Sequence, residues 1–110
     1  MADFNKITAV TNGSVTFTTS AGASSQTVSV GKDERMCIYI KNGGTSAITA
    51  TVVKGNGIAS VMGNLAVSVP AGSEVIIGPL ESARFVDTST GKITVNLSGT
   101  TSVTIAAIQL

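Results

Sequence analysis

Short stretches of alternating apolar and polar residues, turn residues about every 8–12 positions, and room for only one helical turn predict an all-β chain. The expected architecture is an antiparallel β-sandwich of jelly-roll or immunoglobulin-like type, with about eight or nine short strands. At 110 residues the chain has material for one core, so residues 1–110 are expected to form a single domain.

The first expected strand covers residues 4–10. Asn12-Gly13 follows, a dipeptide that favours two-residue hairpin turns because both positions accept positive φ. Residues 14–19 alternate, with Val15 and Phe17 on one face and threonines on the other, so residues 1–20 read as a hairpin. The alternative is that residues 1–25 form an N-terminal arm pairing with a neighbouring subunit. Residues 20–25 are a loop and residues 26–30 the next strand.

The best-marked stretch is Gly31-Lys32-Asp33-Glu34-Arg35-Met36-Cys37-Ile38-Tyr39-Ile40-Lys41-Asn42-Gly43-Gly44. Four charges lead into an apolar run that a Lys-Asn-Gly-Gly turn closes. On a strand, Met36, Ile38 and Ile40 share one face, which reads as core, while Arg35, Cys37, Tyr39 and Lys41 share the other. Tyr39 offers that second face an apolar body with a polar tip.

Residues 47–54 continue as a strand with Ile48, Ala50 and Val52 together. Residues 58–64 have no clean period and read as an irregular, partly buried connection. Leu65, Val67 and Val69 alternate up to Pro70-Ala71-Gly72. Residues 74–78 form a short continuous apolar run, as expected of a strand covered on both faces. One helical turn fits within residues 79–85. Ile93, Val95 and Leu97, then Val103, Ile105 and Ala107, mark the last two strands, which ties both chain ends into sheets.

Composition narrows the function. Hydrophobic residues make up 43% of the chain and charged ones 12%, about half the roughly 25% usual in soluble domains, and mean hydropathy is positive. Few charges over so much surface suggest that part of it is covered by other chains. A net charge of +1 supplies no electrostatic footprint for nucleic acid or an anionic membrane. The N-terminal Met-Ala-Asp-Phe-Asn-Lys has no apolar run of the signal-peptide kind, so synthesis in a cytoplasm without signal-directed secretion is expected.

The chain has no histidine and one cysteine, Cys37, which removes the usual general base, the serine–histidine triad and a single-chain structural zinc site. Gly55-Asn56-Gly57 reads as a turn rather than a phosphate cradle, and Gly91-Lys92-Ile93 lacks the rest of a P-loop. No enzyme, cofactor or metal site is expected. The charge cluster Lys32, Asp33, Glu34, Arg35, with Tyr39 beyond it, has two readings. One is a solvated strand entry whose charges discourage edge pairing. The other is a subunit contact in which charges of both signs set register.

Three stretches carry a family resemblance: residues 33–42, residues 69–85, and residues 91–95 with 103–110. In them the chain resembles the small β-sandwich structural proteins of tailed bacteriophages and prophages. The resemblance implies a virion component, foremost a head decoration or cement protein that binds the major capsid protein and reinforces the shell. It also implies a homo-oligomer, often a trimer at threefold positions. A neck or tail accessory subunit is the neighbouring alternative, and a carbohydrate- or cell-surface-binding sandwich a more distant one. The absence of Trp and the presence of a single Tyr weigh against a sugar site.

Overall fold

Apolar alternation becomes ten strands in a computed structural model that describes residues 3–10, 12–31 and 35–110. They are β1 (Lys6–Thr8), β2 (Ser20–Ala21), β3 (Ser25–Ser29), β4 (Met36–Asn42), β5 (Ile48–Val52), β6 (Leu65–Val69), β7 (Glu74–Ile77), β8 (Val86–Asp87), β9 (Lys92–Leu97) and β10 (Val103–Gln109). A 3-10 turn at Ser60–Met62 and one helical turn, α1 (Ser82–Phe85), complete the regular structure.

The first sheet runs β1-β10-β4-β7, and β2 shares the β1 edge of β10. The second runs β3-β9-β5-β6, and β8 lies beside β5 along β9. Two five-stranded sheets around one shared core are compatible with a β-sandwich. Met36, Ile38 and Ile40 are buried, as are Ile48, Ala50 and Val52, then Ile93, Val95 and Leu97, and Val103, Ile105 and Ala107. Each set occupies alternate positions of one strand, so the inner faces read from the sequence are the inner faces of the fold.

One buried polar residue organises a corner of this core. Asn42 ends β4, where its side-chain amide donates to the carbonyls of Ser46 at 2.9 Å and Val69 at 3.0 Å. Its side-chain oxygen accepts from the Gly44 N–H at 3.0 Å. The amide thereby ties the turn after β4 to the end of β6, and a buried amide satisfied on both sides carries little desolvation penalty.

The N-terminal hairpin is not formed. Asn12 does turn the chain at φ 54, and the Gly13 N–H donates to the Val10 carbonyl at 3.2 Å, but residues 14–19 make no strand. Instead β1 pairs in parallel with β10, Ile7 opposite Ile108. A lone two-stranded ribbon is marginal in water, whereas the seven-residue β10 is already anchored against β4. The chain is therefore not purely antiparallel. Ahead of β1, Asp3 bridges Thr27 of β3 in parallel and the Phe4 N–H donates to the Thr27 carbonyl at 3.0 Å, with the Phe4 side chain buried. The Lys92 ammonium meets the Asp3 carboxylate at 3.0 Å. The hydrogen bond from Thr27, and then Lys92, hold the Asp3 carboxyl below its ordinary pKa. Residues 3–8 thus run from the edge of the second sheet to the edge of the first and close that side of the molecule.

Two other expectations give way. β7, at the edge of its sheet, is not covered on both faces: Ile77 points into the core, whereas Ile76 on the outer face is 63% exposed. Residues 58–64 do not form a partly buried connection throughout: Ile58 is 93% and Val61 89% exposed, with Met62 also at the surface. Their turn is nevertheless held at its base. The Arg84 guanidinium donates to the carbonyls of Gly63 at 3.1 Å and Asn64 at 3.3 Å, and the Ala59 N–H donates to the Ala83 carbonyl at 3.0 Å.

Candidate functional site

The outer face of the first sheet can be assembled from strand register. Partners across a ladder share a face, so Ile7, Ile108 and Cys37 form one row and Ala106, Tyr39 and Ile76 the next. A third row, Ala21, Thr104, Lys41 and Glu74, is polar. Phe17, from the segment without regular structure, packs edge-on against Tyr39 with ring centroids 5.1 Å apart at 84°. That geometry sets the positive edge of one ring against the negative face of the other.

The face is therefore apolar along two rows and fringed by charge on the third. Lys41 and Glu74 meet at 4.0 Å with both side chains more than half exposed, so their attraction adds little to stability. Cys37 is a free, half-buried thiol within the apolar rows. Tyr39 sits half-buried among them. Its phenol is pushed above the ordinary 10.0, first by desolvation and then by a hydrogen bond to the Glu74 carboxylate.

A raised folded-state value favours the neutral phenol in the fold. That contribution to stability is complete below pH 10 and is lost as pH rises through the folded value. Tyr39 is the only tyrosine, so phenolate absorbance reports it alone. The expected result is a midpoint above 10 for the folded protein, moving down in Glu74→Gln. A folded-state midpoint at or below 10 contradicts this environment.

Of the residues expected at a subunit contact, Arg35 is exposed just before β4 and Tyr39 lies on the apolar face. Lys32, Asp33 and Glu34 lie outside the described residues. Sequence reading missed Phe17 as a partner of Tyr39 and Ile76 as an exposed neighbour of it. It also missed the exposed turn carrying Ile58, Val61 and Met62. The only available signal was the absence of a clean period in residues 58–64.

Gly55-Asn56-Gly57 is a turn, and a tightly packed one: a Cβ on Gly55 would stand 2.0 Å from the Val86 carbonyl oxygen. A cleft of about 220 Å³ opens beside Asn42, Thr45, Ser46, Ile48, Thr100 and Thr101. Every residue lining it is uncharged, so it offers hydroxyls and amides but no acid–base pair. Among the described residues, no group of three or more His, Cys, Asp or Glu could hold a metal ion, and no helix is long and apolar enough to cross a membrane.

No protein-family model, curated protein or solved structure matches this chain.

Proposed function

We propose that this chain is a non-enzymatic structural protein of a virion, a capsid decoration or cement subunit. In this role it binds the head surface as a homo-oligomer, with the major capsid protein as its partner, and reinforces the shell. The observation that carries the reading is the apolar outer face built on β10, β4 and β7, where Tyr39, Phe17, Ile76, Cys37 and Ile108 gather on one side of one sheet. A contiguous apolar face with a charged fringe is the chemistry of a protein–protein contact. The likeness of residues 33–42 and 69–85 to tailed-phage structural proteins points to the virion as the place of that contact.

The strand order supports a finer reading of the fold, by analogy only. We read the two sheets as a jelly roll, with β2, which pairs antiparallel with β10, taken as the first of eight strands and the parallel β1 and the short β8 set aside. One sheet then holds the first, eighth, third and sixth strands, and the other the second, seventh, fourth and fifth. Jelly rolls recur in viral capsid domains as well as in lectins and other proteins, so this agreement is an analogy of fold and not a functional argument in itself.

The test is addition of purified protein to capsids that lack it. It is expected to co-sediment with them and to raise the temperature at which they disrupt. If it co-sediments with no capsid preparation, the reading is overturned.

A further inference from the structure

We infer that β6 is a self-pairing edge, and that two copies of this chain join by antiparallel alignment of their β6 strands about a twofold axis through Val67. The inference rests on the reading of the chain as self-associating, and it specifies where the association occurs.

Backbone hydrogen bonds already made by β5 fix which groups of β6 point outward. On β5, the Thr49 carbonyl accepts from the Ser98 N–H at 3.0 Å, and the Val53 N–H, just beyond the strand, donates to Thr94 at 2.9 Å. Odd positions therefore face β9. Neighbouring residues of a strand point their N–H and C=O to opposite sides, so Ile48, Ala50 and Val52 face β6 and bond Val69, Val67 and Leu65. Ala66 and Ser68 consequently aim their backbone donors and acceptors away from the sheet. Both residues are exposed.

Among the described residues, the other end strands of the two sheets, β3, β1 and β7, are guarded. Asp3 and Phe4 cover β3. β1 has only three residues and carries Lys6, whose ammonium donates to the Ser29 carbonyl at 3.1 Å. β7 has four residues, includes Glu74 and stops at Gly78-Pro79. β6 has five residues without charge, and Pro70 comes only after its end. Short length, charge and proline are the usual devices against edge pairing, and β6 has none within it.

Its sequence also suits its own copy. Leu65-Ala66-Val67-Ser68-Val69 reads large-small-Val-small-large in both directions. Pairing Ala66 with the partner's Ser68, and Ser68 with the partner's Ala66, satisfies the outward groups of both strands. The same register sets Val67 against the partner's Val67 and Leu65 against the partner's Val69, all on the inner face. Leu65 and Val67 are half-buried and packed on the core, so the added strand extends that core. The turn bearing Ile58, Val61 and Met62 precedes β6, and antiparallel register carries it toward the partner's exposed Pro70 and Ala71.

Closure on one side by residues 3–8, with β6 paired only with β5 among the described residues, favours a contact of one patch with itself over a head-to-tail ring. The expected assembly is thus a twofold pair, in place of the trimer that the phage resemblance implies.

Sedimentation and light scattering at micromolar concentration should give twice the 11.0 kDa chain mass. A66K/S68K puts lysine opposite lysine twice across the axis and should weaken the pair about tenfold or more, as should A66E/S68E with carboxylates. Mixing the two variants should restore pairing as a heterodimer. Both positions are exposed in the single chain, and unchanged circular dichroism will show that the variants fold. A trimer, or a pair indifferent to these charges, overturns the β6 contact while leaving self-association intact. A monomeric wild-type protein overturns both.

Discussion

Ile38→Asp is expected to leave the chain unfolded at room temperature. Ile38 lies at the centre of the first sheet, between Ala107 of β10 and Ile77 of β7, and is 0% exposed. Removing the side chain alone costs about 2–5 kcal/mol for a buried isoleucine. Burying an unpaired carboxylate adds several more, or forces the acid to stay protonated. The sum of about 5 kcal/mol or more matches or exceeds the whole stability of many domains of this size. Circular dichroism on heating is the measurement, with Ile38→Val as a control expected to lose only about 0.5–1.5 kcal/mol. A wild-type melting temperature in Ile38→Asp means that this strand does not face the core.

Gly55→Ala is the second substitution expected to be severe, although it adds one methyl group. That carbon would stand 2.0 Å from the Val86 carbonyl oxygen and 2.4 Å from its carbon, both backbone atoms unable to rotate away. Relief requires separating residues 55–56 from α1 and β8. Such separation strains the hydrogen bond from the Gly55 N–H to the Arg84 carbonyl at 2.8 Å and the weaker one from the Asn56 N–H to the Val86 carbonyl at 3.4 Å. The expected cost is about 3 kcal/mol, lowering the melting temperature by about 10 °C or more. Gly99→Ala is the comparison, because its new methyl meets only the Ile48 side chain, at 2.9 Å. If the two variants melt together, backbone approach is not what requires glycine at 55.

These two sites differ in how they could have been found. Ile38 belongs to an alternating run whose facing is a local property, since successive side chains on any strand point opposite ways. The same logic located the inner faces of β4, β5, β9 and β10. Gly55 carried no such signal. Its need for glycine comes from the backbone of Phe85 and Val86, distant in sequence, and the residues around it show only a turn.

The candidate surface divides in the same way. Tyr39 was legible because strand alternation set it opposite Ile38 and Ile40. Alternation places Phe17 on a hairpin strand, whereas the pairing of β1 with β10 leaves its segment to pack on Tyr39. Ile76 sits in an apolar run that suits a strand covered on both faces; its exposure follows from facing outward from the sheet beside Tyr39, opposite the buried Ile77. Turn residues and two-residue periodicity were sufficient for the all-β class, most strand positions and their buried faces, because those depend on neighbours in the chain. Strand partners, edges, the parallel β1 and the exposed Ile58 turn arose from long-range pairing, where backbone hydrogen bonds join segments whose separation along the chain leaves no local mark.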